Sequence, residues 1–238
     1  MPIDARGSTS DRLLAAAAEL LQEGGVDAVS TRAVAAAAGT QPPILYRRFG
    51  DKDGLIEAVT LHILEDYIQK KRKLLKQSGD PVNDLRRLWD LFVAFGFAQP
   101  DCFALIYGNV RRGDAISAAA ETTVAMLQEA IARIADDGKL RMSVERATGL
   151  FQSCGVGFVM TQLTIPAAKR DRELSDIARE NAVSSIVVTS GASKVRSTLT
   201  GRATALRQAI GDNDLPLSAA ERDLLVEWLG RIADQRRR

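Results

Sequence analysis

The chain has 238 residues, of which 46% are hydrophobic and 26% charged, and its net charge at pH 7 is +2. The length allows one large or two smaller domains, and the near-balance of charge predicts no particular partner. Two cysteines, Cys102 and Cys154, lie far apart without metal-type spacing, which excludes a disulfide-rich secreted domain and indicates a reducing compartment. No apolar run approaches the roughly 20 residues that span a bilayer, and no secretory signal is evident at the start, so we expect a cytoplasmic protein without membrane contact.

Four helices are predicted in the first eighty residues, where apolar side chains recur at helical spacing between capping residues and glycines. Serines and a threonine at positions 8 to 10 offer N-caps for the first helix. Gly24 and Gly25 end it, because glycine adopts left-handed backbone angles without a steric penalty. The other three predicted helices are 31–38, 43–49 and 51–76.

Helical patterns continue through the rest of the chain, and strand alternation is almost absent. Pro100 interrupts one helix, and a capping box formed by Ser218 and Glu221 opens the last one. Residues 189–200, rich in Ser, Thr and Gly, are either a loop or an interruption of a helix. The further predicted helices are 81–99, 101–109, 115–137, 143–165, 173–188, 198–210 and a final one from residue 218. The sequence therefore predicts an all-α protein.

The most informative pattern lies between Ser30 and Lys52. A short helix ends at Gly39, a tight turn follows, and a second short helix presents Tyr46 and two arginines after it. This is the spacing of a helix-turn-helix, in which the first helix braces and the second enters the major groove of DNA. The spacing alone is equally consistent with an ordinary corner between two helices that carries surface arginines.

The same region resembles the TetR family of transcriptional regulators. The resemblance is carried by STRAVAAAAG at 30–39, LYRRF at 45–49 and KDGLI at 52–56, and it extends over about residues 8–59. It implies a three-helix DNA-binding domain in residues 1–56 and a larger helical domain for effector binding and dimerisation in residues 57–238. The rest of the chain is similar to the family only in being helical and of suitable length.

The resemblance implies roles in DNA binding for residues of both short helices. Tyr46 matches a tyrosine whose hydroxyl reaches a phosphate, and Lys52 stands where a phosphate can also meet the N-terminus of the fourth helix. Gln41 can hydrogen-bond a base edge, whereas the two prolines after it offer only apolar contact, for example to a thymine methyl. The complete predicted set is Thr31, Arg32, Thr40, Gln41, Pro42, Pro43, Ile44, Tyr46, Arg47, Arg48 and Lys52.

The sequence also departs from the family pattern. Pro42 and Pro43 stand where many members have glycine or a small polar residue, and Arg48 replaces a frequent histidine or tyrosine. These changes leave the fold intact but make the base preference unpredictable from the sequence. For Arg47 and Arg48 the alternative is a solvated charged face without DNA contact.

In the family, the C-terminal helices enclose a cavity for a small effector. Aromatic side chains together with one cysteine are the candidates for lining it: Trp89, Phe92, Phe95, Phe103, Tyr107, Phe151, Cys154 and Phe158. Ordinary core packing is the alternative for each of them. Because few polar groups accompany this set, we expect an apolar or amphipathic effector.

Small residues on the helix opened by Ser143 indicate a close helix–helix contact. Gly149, Ser153 and Gly157 are spaced four apart, so another helix can approach closely there. We expect a homodimer interface formed with the helix 173–188. The alternatives are close packing within one subunit, room for a ligand, or an interface completed by the final helix with Trp228.

Three classes of protein remain in view. A regulator, most simply a repressor, would bind a pseudo-palindromic operator in double-stranded DNA as a dimer and release it when the effector binds. An enzyme is disfavoured, because one histidine and the absence of metal-type or phosphate-cradling motifs leave little catalytic material. We therefore predict no catalytic residue, no metal and no cofactor. A helical adaptor that binds only protein would not account for the pattern from Thr31 to Lys52.

Overall fold

The structure is a computed structural model that describes residues 8–76, 79–108, 113–171, 173–188, 199–212 and 216–234. Within these ranges the fold is all-α, as predicted, and strand-like pairing is limited to an isolated bridge between Leu140 and Val187. The helices are α1 (Thr9–Ala28), α2 (Thr31–Ala37), α3 (Pro42–Phe49), α4 (Lys52–Lys76), α5 (Pro81–Ala98), α6 (Pro100–Phe103), α7 (Asp114–Asp136), α8 (Val144–Leu163), α9 (Leu174–Ile186), α10 (Leu199–Asp212) and α11 (Ala219–Ala233).

Local sequence signals account for most of these boundaries. The hydroxyl of Ser218 accepts the backbone N–H of Glu221, and the Glu221 carboxylate accepts the backbone N–H of Ser218. This is the predicted capping box. A second box, between Ser8 and Asp11, begins α1. The chain leaves helical geometry at Gly25, whose φ is +68°, as the glycine pair predicts, but a further turn continues to Ala28.

Two unpredicted turns in the described part of the chain depart from α geometry. After α6, residues Ala104–Gly108 form a π-helical turn rather than more α-helix, and Ala167–Lys169 form a 3-10 turn between α8 and α9. No single helix in the described ranges is both long and apolar enough to cross a membrane. Pro81–Ala98 and Pro100–Gly108 reach that composition only as a pair, across a bend of 111°.

The chain packs as two compact units, residues 1–70 with 94–122 and residues 71–93 with 123–238. The helices α4, α5 and α7 each contribute to both. The predicted division at residues 56 and 57 concerns function and stays a prediction.

The first unit has an aliphatic core at its N-terminal end and an aromatic core beyond it. Leu13, Leu45 and Leu55 are fully buried where α1, α3 and α4 contribute to the core. The ring of Tyr67 stacks on Phe95 with centroids 4.5 Å apart, and Phe103 contacts the ring of Tyr107 at 4.6 Å. Cys102 is buried there as well, and burial raises the pKa of its thiol to about 12. The thiol therefore packs as a small apolar group.

The second unit is organised around Trp89. Its ring meets Phe151 edge-on at 5.6 Å and lies 5.8 Å from Phe158, while its N–H donates to the Ser175 hydroxyl at 3.3 Å. Glycine at 155 lets α8 approach α5, since a Cβ there would lie 3.2 Å from the ring of Phe92. The second unit thus buries the indole of Trp89 while its N–H group keeps a hydrogen bond.

Helices α10 and α11 pack against each other through Ala203, Ile210, Leu229 and Ala233. A carboxylate at the end of α11 fastens the pair to the start of α8, where Ser143 donates its backbone N–H and its hydroxyl to Asp234 at 3.3 and 3.2 Å. Arg207 of α10 pairs with Glu145 of α8 at 2.9 Å. The pair of helices α10 and α11 is therefore part of the second unit.

Candidate nucleic-acid interface

The α2–turn–α3 segment has the backbone geometry that its sequence predicts. The hydroxyl of Ser30 accepts the N–H of Ala33 at 3.1 Å and caps α2. Gly39 then adopts a φ of +61°, which side-chain-bearing residues rarely reach, and the chain reverses toward α3. At the far end Gly50, with a φ of +78°, closes α3, and the Asp51 carboxylate accepts the N–H of Gly54 at 2.8 Å to begin α4.

One side of α3 is held in the core and the other is left to solvent. Leu45 is buried in the same unit as Val34 of α2, and Phe49 is half-buried. None of the eleven predicted DNA contacts is buried. Seven are exposed, namely Arg32, Gln41, Pro43, Tyr46, Arg47, Arg48 and Lys52, and four are half-buried, namely Thr31, Thr40, Pro42 and Ile44. All eleven side chains are therefore at least partly accessible to a partner, and their role in DNA binding stays a prediction.

A hydrogen bond joins the two short helices at this surface. The hydroxyl of Thr31, at the start of α2, donates to the hydroxyl of Tyr46 on α3 across 3.2 Å. The Tyr46 side chain is 55% exposed. The sequence predicted a separate DNA contact for each of the two residues, but not the contact between them.

The first turn of α3 offers few hydrogen-bond donors. Pro42 and Pro43 have no backbone N–H, and the N–H of Ile44 already donates to the Gln41 carbonyl at 3.0 Å. The side chain of Gln41 makes no capping hydrogen bond and is exposed. This turn therefore presents an apolar surface beside one amide.

Arg48 has an acidic neighbour that the sequence analysis missed. The pKa of Asp11 is lowered chiefly by hydrogen bonds from the backbone and hydroxyl of Ser8, with smaller contributions from the charges of His62 and Arg48. Asp11 is the fourth residue of the Ser8 capping box, a pattern visible in the sequence. The side chain of Arg48 thus has an electrostatic partner within the protein.

The eight predicted effector contacts fall into two groups, one in each unit. In the first unit Phe95 and Phe103 are buried and Tyr107 is half-buried. In the second, Trp89, Phe92 and Phe151 are buried, and Cys154 and Phe158 are half-buried. A cavity of about 650 Å³ in the second unit is lined by other residues, among them Arg146, Arg207 and Asp223. Effector binding by the eight stays a prediction.

The predicted small-residue surface lies open on α8. Gly149, Ser153 and Gly157 are all exposed, and a Cβ at either glycine would meet nothing within 4 Å. Large apolar side chains are exposed on the same helix and on α9: Leu150, Leu174 and Ile177. A second exposed apolar pair, Leu224 and Trp228, lies on α11. These are surfaces of the second unit that a partner would have to cover.

Residues 13–59 match the family model of bacterial regulatory proteins of the tetR family. The matched segment contains α2, the turn and α3, and all eleven predicted DNA contacts lie within it. The predicted resemblance is thereby confirmed.

Solved structures of such regulators share the fold. The fatty acid degradation regulator FadR from Bacillus halodurans superposes with a TM-score of 0.62 at 15% identity, covering 76% of this chain and 97% of its own. FadR from Bacillus subtilis in complex with stearoyl-CoA gives 0.61 at 16%, covering 74% and 98%. SmeT, the repressor of the Stenotrophomonas maltophilia multidrug efflux pump SmeDEF, gives 0.61 at 19%, covering 78% and 93%. At these identities the likeness concerns the fold.

Proposed function

We propose that this chain, whose residues 13–59 match the tetR family of bacterial regulatory proteins, represses transcription by binding a pseudo-palindromic operator as a dimer and leaves it when a small effector binds. The observation that carries the proposal is the outward face of α2 and α3. Arg32, Tyr46, Arg47 and Arg48, which are suited to phosphate or base contact, are exposed on these two helices, while Leu45 packs α3 into the core. An enzyme or a protein-only adaptor would not require this arrangement.

In the proposed complex α3 lies in the major groove. The hydroxyl of Tyr46 and the ammonium of Lys52 meet phosphates on either side, and Gln41 with the first turn of α3 faces base edges. Two subunits would place their α3 helices in successive major grooves, with centres about 34 Å apart.

The test begins by selecting a duplex from a random pool with the purified protein and measuring its affinity by fluorescence anisotropy over a salt series. Lys52→Ala removes one phosphate contact, so the slope of log K against log salt should fall in magnitude by about 0.9. Lys169→Ala removes the same charge at an exposed position of the second unit and serves as the matched control. The proposal fails if no duplex is enriched, or if the two variants change the slope equally.

For the dimer, we propose the exposed face of α8 and α9. Gly149, Ser153 and Gly157 allow close approach, and Ile177, which is 53% exposed, supplies apolar area next to Leu174. Burying such side chains against a copy of themselves removes the apolar surface from water on both subunits at once. Helices α8 and α9 would thus form a four-helix contact with those of the second copy.

Sedimentation of Ile177→Glu tests this surface. Each subunit would bury an unpaired carboxylate in the interface, so the variant should sediment as a monomer. Leu224→Glu, on the exposed side of α11, is the control and should leave the dimer intact. The opposite pattern would move the interface to α11.

For the effector, we propose an amphipathic molecule with a long apolar chain. The aromatic side chains around Trp89 form a buried apolar cluster next to which an acyl chain could be accommodated, and one structural neighbour was solved with stearoyl-CoA. Such a ligand releases DNA only through a higher affinity for the unbound conformation. Stearoyl-CoA titrated into the protein–duplex complex should lower the anisotropy, whereas coenzyme A should not. Release by both, or by neither, would contradict the long-chain proposal.

A further inference from the structure

The hydrogen bond between Thr31 and Tyr46 is not needed to begin α2. The N-cap of α2 is Ser30, whose hydroxyl already accepts the Ala33 N–H, so Thr31 is not needed to begin the helix. Both hydroxyls lie at the surface, where water could satisfy them equally well. Their contact across 3.2 Å joins the first turn of α2 to α3 on the surface proposed for DNA.

The chemistry of a phosphate decides which hydroxyl donates when DNA is bound. Phosphodiester oxygens only accept hydrogen bonds, so Tyr46 must give its own proton to the phosphate. The proton between the two side chains must then come from Thr31, whose hydroxyl oxygen lies 3.2 Å from that of Tyr46. A hydroxyl that accepts one bond while donating another is polarised and donates more strongly.

We propose that Thr31 is a positioning residue for the phosphate contact of Tyr46, and this inference rests on the proposed DNA-binding function. The bond ties an otherwise exposed phenol on α3 to the first turn of α2. The ring is thus held in its binding orientation before DNA arrives, and less side-chain freedom is lost on binding. Helix α3 thus carries the side chain that contacts the phosphate, and α2 holds that side chain in place.

A double-mutant cycle tests the proposal on the duplex selected with the wild-type protein. Thr31→Val keeps the shape and removes the hydroxyl, Thr31→Ser keeps the hydroxyl, and Tyr46→Phe removes the phosphate donor. We expect Thr31→Val to raise Kd about threefold to tenfold, and Thr31→Ser to restore wild-type affinity. In the Tyr46→Phe background, Thr31→Val should cost nothing further. The salt slope should stay unchanged, because both residues are neutral.

Other outcomes overturn the positioning role. A loss that persists in the Tyr46→Phe background would mean that Thr31 contacts DNA independently. An unchanged Kd for Thr31→Val, or failure of Thr31→Ser to restore binding, would mean that the hydroxyl is irrelevant. Equal thermal unfolding of all variants guards against a folding defect. If the wild-type protein enriches no duplex, the DNA-binding proposal fails, and this inference fails with it.

Discussion

Gly54 lies in the first turn of α4, directly after the turn that ends α3. A Cβ built at this position would lie 2.1 Å from the backbone carbonyl oxygen of Phe49. The same carbonyl accepts the N–H of Asp51 at 3.0 Å, and the Asp51 carboxylate accepts the N–H of Gly54 at 2.8 Å. Alanine at 54 must therefore push apart a turn that two hydrogen bonds hold closed.

The sign of the effect depends on two opposing contributions. Alanine in place of glycine within a helix normally stabilises by as much as about 1 kcal/mol. Forcing one extra methyl into a filled site costs about 1–3 kcal/mol, and weakening the two hydrogen bonds costs about 1 kcal/mol each. We expect Gly54→Ala to lower the free energy of unfolding by about 2–4 kcal/mol, which is a fall in Tm of roughly 4–16 °C.

Thermal unfolding followed by circular dichroism measures this, with Gly79→Ala as the control. Gly79 lies outside the helices, does not need a positive φ, and a Cβ there meets nothing within 4 Å. That variant should gain about 0.4–1 kcal/mol, because alanine restricts the unfolded chain. If Gly54→Ala melts at or above the parent while Gly79→Ala behaves as expected, the steric argument is wrong. Weaker binding to the selected duplex should accompany the loss, since the turn orients α3.

Two further predictions follow from buried and exposed groups. Burial lowers the pKa of Lys71, whose ammonium donates to the Thr123 carbonyl at 2.6 Å, to about 8 from 10.5. The unfolded chain therefore binds more protons between these values, and stability should rise with pH from about 8 upward. Lys71→Met should remove that rise and add about 2 kcal/mol to the free energy of unfolding at pH 7. Urea unfolding at pH 7 and 9.5 measures both effects. An unchanged pH dependence would contradict the prediction. Because the first turn of α3 is apolar at Pro43 and Ile44, replacing half-site thymines by uracil should weaken binding about fourfold per contacted methyl. Thymines outside the half-sites are the control, and indifference at every position would refute thymine reading.

Short-range chemistry made the helices and the motif predictable. Ser30, Gly39 and Gly50 act on backbone atoms only a few residues away, so their effect on α2, the turn and α3 can be deduced without the rest of the fold. The same holds for the box of Ser218 and Glu221. The apolar period of α3 places Leu45 inward, and the outward face follows from it.

Contacts between distant residues became visible only in the tertiary structure. The sequence contains Thr31 and Tyr46 but does not show that their hydroxyls lie 3.2 Å apart. That distance depends on the angle of the turn and on the packing of α3. Lys71 has charged neighbours along the chain. No local pattern shows that Lys71, rather than one of these neighbours, donates to the Thr123 carbonyl of α7. The aromatic side chains likewise share a helical period but divide between two units. Periodicity determines which face of a helix is apolar, whereas the partner of that face depends on how all the helices pack together.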